Sequence, residues 1–182
     1  MTTGFSNTAL GHSALHSQTI GNESVALGAS ALASYNSPGS SVAVGYLALG
    51  ASISGVQNTA VGYQCLKSVA TGTSYNTAVG DLAGFSLATG EQNTMMGASS
   101  LMNGGSFSNC AAFGYQALNA CNGDGNSAFG RAALVQLSSG TENSSFGYNA
   151  LFNATTVGYN SCFGSSASIN ITTGSYNSIL FF

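Results

Sequence analysis

One short pattern of small, apolar and polar positions recurs along the whole chain. It reads Asn-Thr-Ala-Val-Gly at residues 58–62, returns unchanged at residues 76–80, and returns as Asn-Thr-Met-Met-Gly at residues 93–97. Successive copies of its glycine are separated by 16 to 18 residues, most often by 17. A fixed short period over a whole chain is typical of repeat architectures, so the other positions are best read against it.

Five positions keep their character when each copy is counted from its Asn as position zero. Position two is small and usually Ala, position four is Gly, position seven is again small, and position eight is Leu in most copies. Position zero is occupied by Asn7, Asn58, Asn76, Asn93, Asn126, Asn143, Asn160 and Asn177, with Ser24, Ser41 and Cys110 in the other copies. Position four is occupied by Gly11, Gly28, Gly45, Gly62, Gly80, Gly97, Gly114, Gly130, Gly147 and Gly164.

This pattern predicts two short extended segments in each copy, separated by the position-four glycine and by Ser/Thr-Gly turns. Frequent Gly with β-branched and hydroxyl residues is poor helix composition. A unit of 17 residues cannot bury its own apolar side chains, but copies stacked as parallel strands can. We therefore predict an all-β fold, a parallel β-solenoid (β-roll or β-helix) of about eleven 17-residue coils that each rise ~4.8 Å. Residues 1–182 form a single repeat domain, either complete or a segment of a longer fibre.

Positions one and three vary together in size. They are Thr59 and Val61 in one copy but Ser127 and Phe129 in another, so position one shrinks as position three grows. Residues two apart on a strand share a face, and reciprocal volume predicts a shared packed compartment. We therefore expect positions one and three inside the coil. Ala and Gly at positions two and four would then form a flat outer row that favours the approach of another chain.

Composition narrows the function classes. Only 4% of residues are charged and the net charge is −3, which argues against nucleic-acid binding through phosphates. No apolar run has membrane-spanning length, so membrane insertion is not expected. Each coil can bury only a few apolar side chains against the entropy cost of ordering its backbone, so a single stack of coils is predicted to be marginally stable. We therefore expect the chain to associate with further copies of itself, laterally or end to end.

The sequence predicts no catalytic, cofactor-binding or metal-binding residues, and hence no enzyme. The acids and bases lie in different copies and mostly in turns, where solvated surface charge is the preferred interpretation. They are Glu23, Asp81, Glu91, Asp124, Glu142, Lys67 and Arg131. His12 and His16 have no Cys, Asp or Ser constellation nearby. Cys65 and Cys162 stand at Ala-like positions and read as small buried hydrophobes.

The seventh copy departs from the others. It carries Cys110 at position zero, and Asn109 precedes it, so a one-residue bulge is expected to keep the Asn in place. Cys110 and Cys121, within this one copy, are the only two cysteines that disulfide geometry allows to pair, because coils three apart are too distant.

Two columns of side chains carry structural or recognition hypotheses. The Asn column predicts amides that hydrogen-bond from coil to coil, as in other cross-β stacks. Position five carries Tyr46, Tyr63, Tyr115 and Tyr148, and Tyr75, Tyr159 and Tyr176 directly precede position zero. A row of exposed rings is a candidate contact for a host surface glycan. The alternative, which we prefer, is that the rings cover neighbouring backbone or a seam between chains.

The motif Asn/Ser-x-Ala-hydrophobic-Gly-x-x-Ala-Leu, present at residues 24–32 and begun again at residues 41–45, resembles the head repeats of trimeric autotransporter adhesins. That resemblance implies a left-handed parallel β-roll with three chains packed together. The Asn-Thr-Ala-x-Gly variant is also similar to repeats in phage tail fibres and in fibre-like proteins of large viruses. Met1 to Gly4 begin no charged and apolar leader, and a virion component needs none.

These observations favour a structural protein, a rigid β-solenoid segment of a virion fibre or spike, assembled as a trimer or bundle at the virion surface. It would act as a spacer that presents or carries a host-attachment surface. Two alternatives stay open: a carbohydrate-binding bacterial adhesin head that uses the tyrosine row, and an ice-binding protein, whose flat Thr-rich face would order water. The broken Thr row at position one and its expected interior placement argue against ice binding.

Overall fold

The computed structural model of the chain describes residues 4–69 and 72–181. Its regular structure consists of eleven three-residue strands, and the described residues contain no helix. The strands are β1 (Thr8–Leu10), β2 (Val25–Leu27), β3 (Val42–Val44), β4 (Thr59–Val61), β5 (Thr77–Val79), β6 (Thr94–Met96), β7 (Ala111–Phe113), β8 (Ser127–Phe129), β9 (Ser144–Phe146), β10 (Ser161–Phe163) and β11 (Ser178–Leu180). One strand per copy confirms the predicted period, but the prediction of two extended segments per copy is wrong, because the residues after the position-four glycine form a turn.

The eleven strands form one parallel sheet in sequence order, from β1 to β11. Each position pairs with the same position of the next copy, as Ala60 pairs with Ala78 and Phe129 with Phe146. The one-residue differences in copy length are therefore absorbed in the loops and do not disturb the strand register. The predicted all-β parallel solenoid is confirmed.

Hydrogen bonds between coils continue beyond the short strands into the turn that follows. The N–H of Gly28 donates to the carbonyl oxygen of Leu10 in the preceding coil at 2.8 Å, and the N–H of Leu32 donates to that of Ala48 in the following coil at 3.0 Å. Equivalent bonds recur in most copies. The turn is thus a stacked element in its own right, and the ladder extends over more than half of each coil.

Leucine at position eight has a backbone conformation that L-residues rarely adopt. Its φ is 51° at Leu32 and 48° at Leu66, in the left-handed region, and non-glycine residues at position six and directly before position zero share this conformation. The left-handed conformation costs roughly 1–2 kcal/mol per residue. Complete burial of a Leu side chain contributes about 1.5–3 kcal/mol, which offsets that cost.

The interior of each coil is built from positions two, seven, eight and eleven. Ala at position two is fully buried in most copies, and it lies with small residues at position seven and Leu at position eight in one continuous core. The flanking strand positions one and three are only partly buried or exposed. The prediction that positions one and three point inward is therefore wrong: the strand turns its small residue to the interior and its larger residues outward.

The reason is the width of the coil. A three-residue strand faces a tight turn across the interior, where the Leu of position eight is buried, so the inward residue of the strand is small in most copies. The size exchange between positions one and three belongs to the outer face. There, a Phe at position three has only Ser or Ala beside it.

The position-four glycines of successive coils lie against one another. A Cβ on Gly28 would lie 2.6 Å from the carbonyl oxygen of Gly45, and one on Gly97 would lie 2.6 Å from that of Gly114. Both glycines also have φ of +132°, where side chains are strained. The column is therefore glycine because consecutive coils of this chain approach each other there.

Candidate functional site

The Asn side chains of position zero form a buried column along the rod. The backbone N–H of Asn76 donates to Oδ1 of Asn58 at 3.0 Å, and its Nδ2 donates to the same oxygen at 3.2 Å. Asn93 repeats both bonds to Asn76 at 3.0 and 2.9 Å. Nδ2 of Asn93 also donates to the carbonyl oxygen of Phe107 in the next coil at 3.0 Å. Each amide thus fastens its coil to both neighbours.

A second run of the same contacts joins the later coils. Nδ2 donates to the preceding Oδ1 at 3.0 Å from Asn143, 3.1 Å from Asn160 and 2.7 Å from Asn177. Near the other end of the rod, Oδ1 of Asn7 accepts from the N–H of Ser24 at 2.9 Å. These amides are buried and hydrogen-bond to one another and to backbone groups, so they are not available to an external ligand. The column holds the rod together.

Ser replaces Asn at position zero in two consecutive copies, and a tyrosine compensates. Tyr35, at position eleven, is fully buried, and its hydroxyl donates to the carbonyl oxygens of Gly39 at 2.7 Å and Gly55 at 2.9 Å. The hydroxyl also lies 3.4 Å from Oγ of Ser41. Tyr35 therefore takes over the carbonyl contacts that an Asn amide makes elsewhere. Sequence reasoning missed it, although a lone aromatic residue next to the two Ser copies was a usable signal.

The seventh coil holds Cys110, and not Asn109, at position zero. Cys110 is buried and its N–H donates to Oδ1 of Asn93 at 2.9 Å, whereas Asn109 lies outside in the left-handed conformation. The expected bulge is therefore wrong. Cys110 packs in the column as a buried thiol, and Asn109 fits the exposed position before it because Asn tolerates a positive φ.

The outer face of the sheet carries an apolar column at position three. In the later coils it consists of Phe113, Phe129, Phe146 and Phe163, which we call the phenylalanine column. Their rings stack in parallel, with centroids 4.6–4.7 Å apart and interplanar angles of 1–7°. In the earlier coils the same column is Leu or Val, then Met96 in β6.

This face leaves large apolar surface in contact with solvent. The exposed fraction is 71% for Leu10, 41% for Met96, 43% for Phe163 and 64% for Leu180. Position one beside it carries only Thr, Val, Ala or Ser, so the face has no charged residue at either strand position. Contiguous apolar surface of this kind marks an interaction surface. Sequence reasoning placed these residues in the core, and so it missed the surface.

The candidate tyrosines lie outside, next to this face. Tyr46 and Tyr63 stack on each other at 5.5 Å, and Arg131 lies between Tyr115 and Tyr148, with its guanidinium 5.7 and 5.4 Å from the two ring centroids. About half of each ring is exposed. Stacking among these position-five side chains covers faces of the tyrosine rings and leaves mainly the ring edges exposed to solvent. A sugar packs on a ring face, so this geometry argues against the glycan contact, and the alternative of rings over neighbouring backbone or a seam between chains also stays a prediction. The glycan contact stays a prediction.

The tyrosines that precede position zero lie on another corner of the coil. Tyr159 and Tyr176 stack there with centroids 4.9 Å apart, and Tyr75 is exposed. The structure therefore does not bring the two tyrosine sets together in one surface.

Most of the acidic residues share that corner. Glu23, Glu91, Asp124 and Glu142 stand one or two residues before position zero and line shallow grooves between neighbouring loops. Asp124 accepts a hydrogen bond from the N–H of Ser108 at 2.7 Å, so the carboxylate of Asp124 satisfies a backbone N–H group of the neighbouring coil. Asp81 and Arg131 both belong to position five, three coils apart.

The remaining candidate chemistry is sparse. His12 contacts the hydroxyl of Ser13 at 3.1 Å on the surface of the first coil. Over residues 4–69 and 72–181, no three His, Cys, Asp or Glu side chains are grouped as metal ligands. Burial raises the pKa of the Cys65 thiol to about 12 and raises that of Cys162, and both lie in columns that are Ala in most other copies.

Within the described part of the chain, no helix has the length and apolar character to cross a membrane. No family model, no curated protein and no solved structure matches this chain.

Proposed function

We propose that this chain is a rigid structural segment of a virion fibre or spike, in which copies associate laterally through the outer face of the sheet. The single observation that carries the proposal is the uncharged, apolar outer face described above, backed by a continuous ladder of hydrogen bonds. Its expected role is to set a distance and to present or carry a host-attachment surface, at the virion surface.

The dimensions of the face set the area that each oligomer of the chain can bury. Eleven strands at ~4.8 Å give a face about 50 Å long, and three residues span about 10 Å. Each chain then offers roughly 500 Å², so a pair buries about 1,000 Å², at the lower limit of specific interfaces. Three chains that turn this face to a common axis bury about 1,500 Å² in all, which is about 500 Å² at each of the three pairwise contacts.

Light scattering on the purified chain tests the association. We expect a discrete oligomer at micromolar concentration, and Phe146→Glu should shift it to monomer because it places a charge in the middle of the phenylalanine column. Asn170→Glu, at an exposed position outside the strands, adds the same charge and should leave the oligomer intact. Monomeric wild-type protein at micromolar concentration would contradict the proposal.

One observation favours a second candidate, ice binding. The Thr column of β4, β5 and β6 (Thr59, Thr77 and Thr94) faces outward, whereas the sequence analysis placed it inside. The column continues as Ala and Ser beside the phenylalanine column, so the regular Thr surface spans only these three coils. Thermal hysteresis, the difference between the melting and freezing temperatures of the solution, tests ice binding. A hysteresis above that of buffer, abolished by Thr77→Lys, would support ice binding, and no hysteresis would reject it.

A further inference from the structure

The seventh coil contains two buried thiols that meet in its interior. Cys110 lies at position zero and Cys121 at position eleven, and both are free thiols. Their Sγ atoms donate to one shared acceptor, the carbonyl oxygen of Gly123, at 3.3 Å from Cys110 and 3.2 Å from Cys121. The two thiols also hydrogen-bond to each other. Folding of the coil thus brings together two cysteines that are eleven residues apart.

The pair lies where the Asn column is interrupted. Cys110 has no amide oxygen to offer, so Asn126 begins a new run of the column, and its Nδ2 turns instead to Sγ of Cys121 at 3.5 Å and to the carbonyl oxygens of Gly123 and Gly140. The bonds that an Asn receives from the next Asn elsewhere in the column are therefore missing between Cys110 and Asn126.

The other interruption of the column shows the same arrangement. Where Ser41 replaces Asn, the position-eleven side chain of Tyr35 reaches the position-zero column and supplies the missing contacts. In the seventh coil, position eleven is Cys121 and it faces Cys110. Both interruptions therefore coincide with a side chain at position eleven that is directed at position zero.

We propose that Cys110 and Cys121 form an oxidisable pair, whose disulfide braces the coil at which the amide column is broken. The reagent class is a small disulfide such as oxidised glutathione. One thiolate attacks a sulfur of the reagent and releases one reduced thiol, and the second cysteine then displaces the other reagent thiol from the mixed disulfide. The protein loses two electrons and two protons, and the reagent gains both as two free thiols.

The local hydrogen bonds indicate the order of attack. The bond from Cys110 lowers the pKa of the Cys121 thiol, against the opposing effect of burial, and the same bond raises the pKa of Cys110. The N–H of Gly123 also donates to Sγ of Cys121 at 3.4 Å. Cys121 is thus the first nucleophile and Cys110 the resolving cysteine. Because both sulfurs are buried, reaction requires local opening of the seventh coil, and we expect slow oxidation.

The test uses a variant with only this pair, Cys65→Ala/Cys162→Ala. Both substitutions install the residue that most other copies carry at positions seven and two, so the fold should be retained. The folded variant is incubated with oxidised glutathione, its free thiols are alkylated, and peptides are mapped by mass spectrometry. We expect both thiols to become protected in an intramolecular Cys110–Cys121 disulfide. The oxidised form should melt about 5 °C above the reduced form, as expected for a closed loop of this length.

A second variant distinguishes the stabilising effect of the Cys110–Cys121 disulfide from general effects of the oxidant on the protein. Cys110→Asn/Cys121→Ala, in the same background, restores an amide at position zero and leaves no thiol. It should melt above the reduced pair without oxidant, and oxidised glutathione should not change it.

Three results would overturn the proposal. They are two thiols that stay fully alkylatable in the folded variant, glutathione adducts or cross-linked chains in place of the internal disulfide, and an internal disulfide that leaves the melting temperature unchanged.

Discussion

Gly84 and Met95 exchange volume across the interior of the solenoid. Gly84 stands at position eight, where most copies carry Leu, and Met95 stands at position two, where most carry Ala. A Cβ on Gly84 would lie 2.7 Å from Sδ of Met95 and 2.7 Å from Cδ2 of Leu66. The Met side chain is fully buried. Gly84 and Met95 belong to neighbouring coils, so the space that Gly84 leaves in the fifth coil is filled by Met95 from the sixth.

A double-mutant cycle tests this exchange. Gly84→Leu alone should destabilise the protein by about 1–3 kcal/mol through overpacking, and Met95→Ala alone by about 2–5 kcal/mol through a cavity. The double variant restores the Leu and Ala of the other coils, so its loss should be smaller than the sum by more than 1 kcal/mol. Chemical denaturation measures each value. Additive losses would show that the two side chains do not share one space.

The Asn column should be a main source of stability. Asn143→Ala removes the amide that binds Asn126, the carbonyl of Val157 and, through its oxygen, Asn160. Because it leaves buried backbone groups unsatisfied, we expect a loss of about 2–4 kcal/mol. Asn170→Ala, at an exposed position, is the matched control and should change the unfolding free energy by less than about 0.5 kcal/mol. Equal effects would contradict a structural role for the column.

The glycine column should tolerate no side chain. Gly97→Ala combines an unfavourable φ with a contact of 2.6 Å to the backbone of Gly114, so we expect severe destabilisation or a failure to fold. Gly72→Ala has a positive φ but nothing within 4 Å of its Cβ, and so it isolates the backbone cost of about 1 kcal/mol. Comparable thermal stability of the two variants would show that close approach between coils is not the constraint.

Stability should fall at alkaline pH because of Cys65. Its thiol has a pKa of about 12 in the folded chain, raised by burial above the ordinary value of 9.0. The thiol therefore holds its proton more tightly in the folded state than in the unfolded state. The folding free energy that comes from this difference is fully present below pH 9 and is lost as the pH rises towards 12. The maximum slope is about 1.4 kcal/mol per pH unit. Cys65→Ala should reduce this slope between pH 9 and 10.5 in denaturation experiments, and an unchanged slope would refute the assignment.

Much of the fold follows from the period alone. A glycine every 17 residues with Asn four residues before it fixes strand number, parallel order and register, because like residues must lie over like. Which way the strand faces does not follow. Every strand position is apolar, small or a hydroxyl residue, so no polar alternation distinguishes the two faces, and the size exchange of Thr59/Val61 against Ser127/Phe129 pointed to the wrong one. The exchange between Gly84 and Met95 held the correct answer in the same sequence.

The candidate surface could not be predicted for the same reason, because it depends on which way the strand faces. Once positions one and three face outward, the phenylalanine column becomes the most apolar surface of the rod, and the tyrosines become its border. Tyr35 was missed for a different reason. Its role depends on which side chains occupy the interior opposite position zero, and the period gives no information about contacts across the coil.

The most direct measurement is an electron cryo-microscopy map of the purified chain. The account predicts rods that lie side by side, with about 4.8 Å between successive coils. Phe113, Phe129, Phe146 and Phe163 should stack at the contact between chains. Separate single rods, a contact through another face, or phenylalanine rings inside the coil would contradict it.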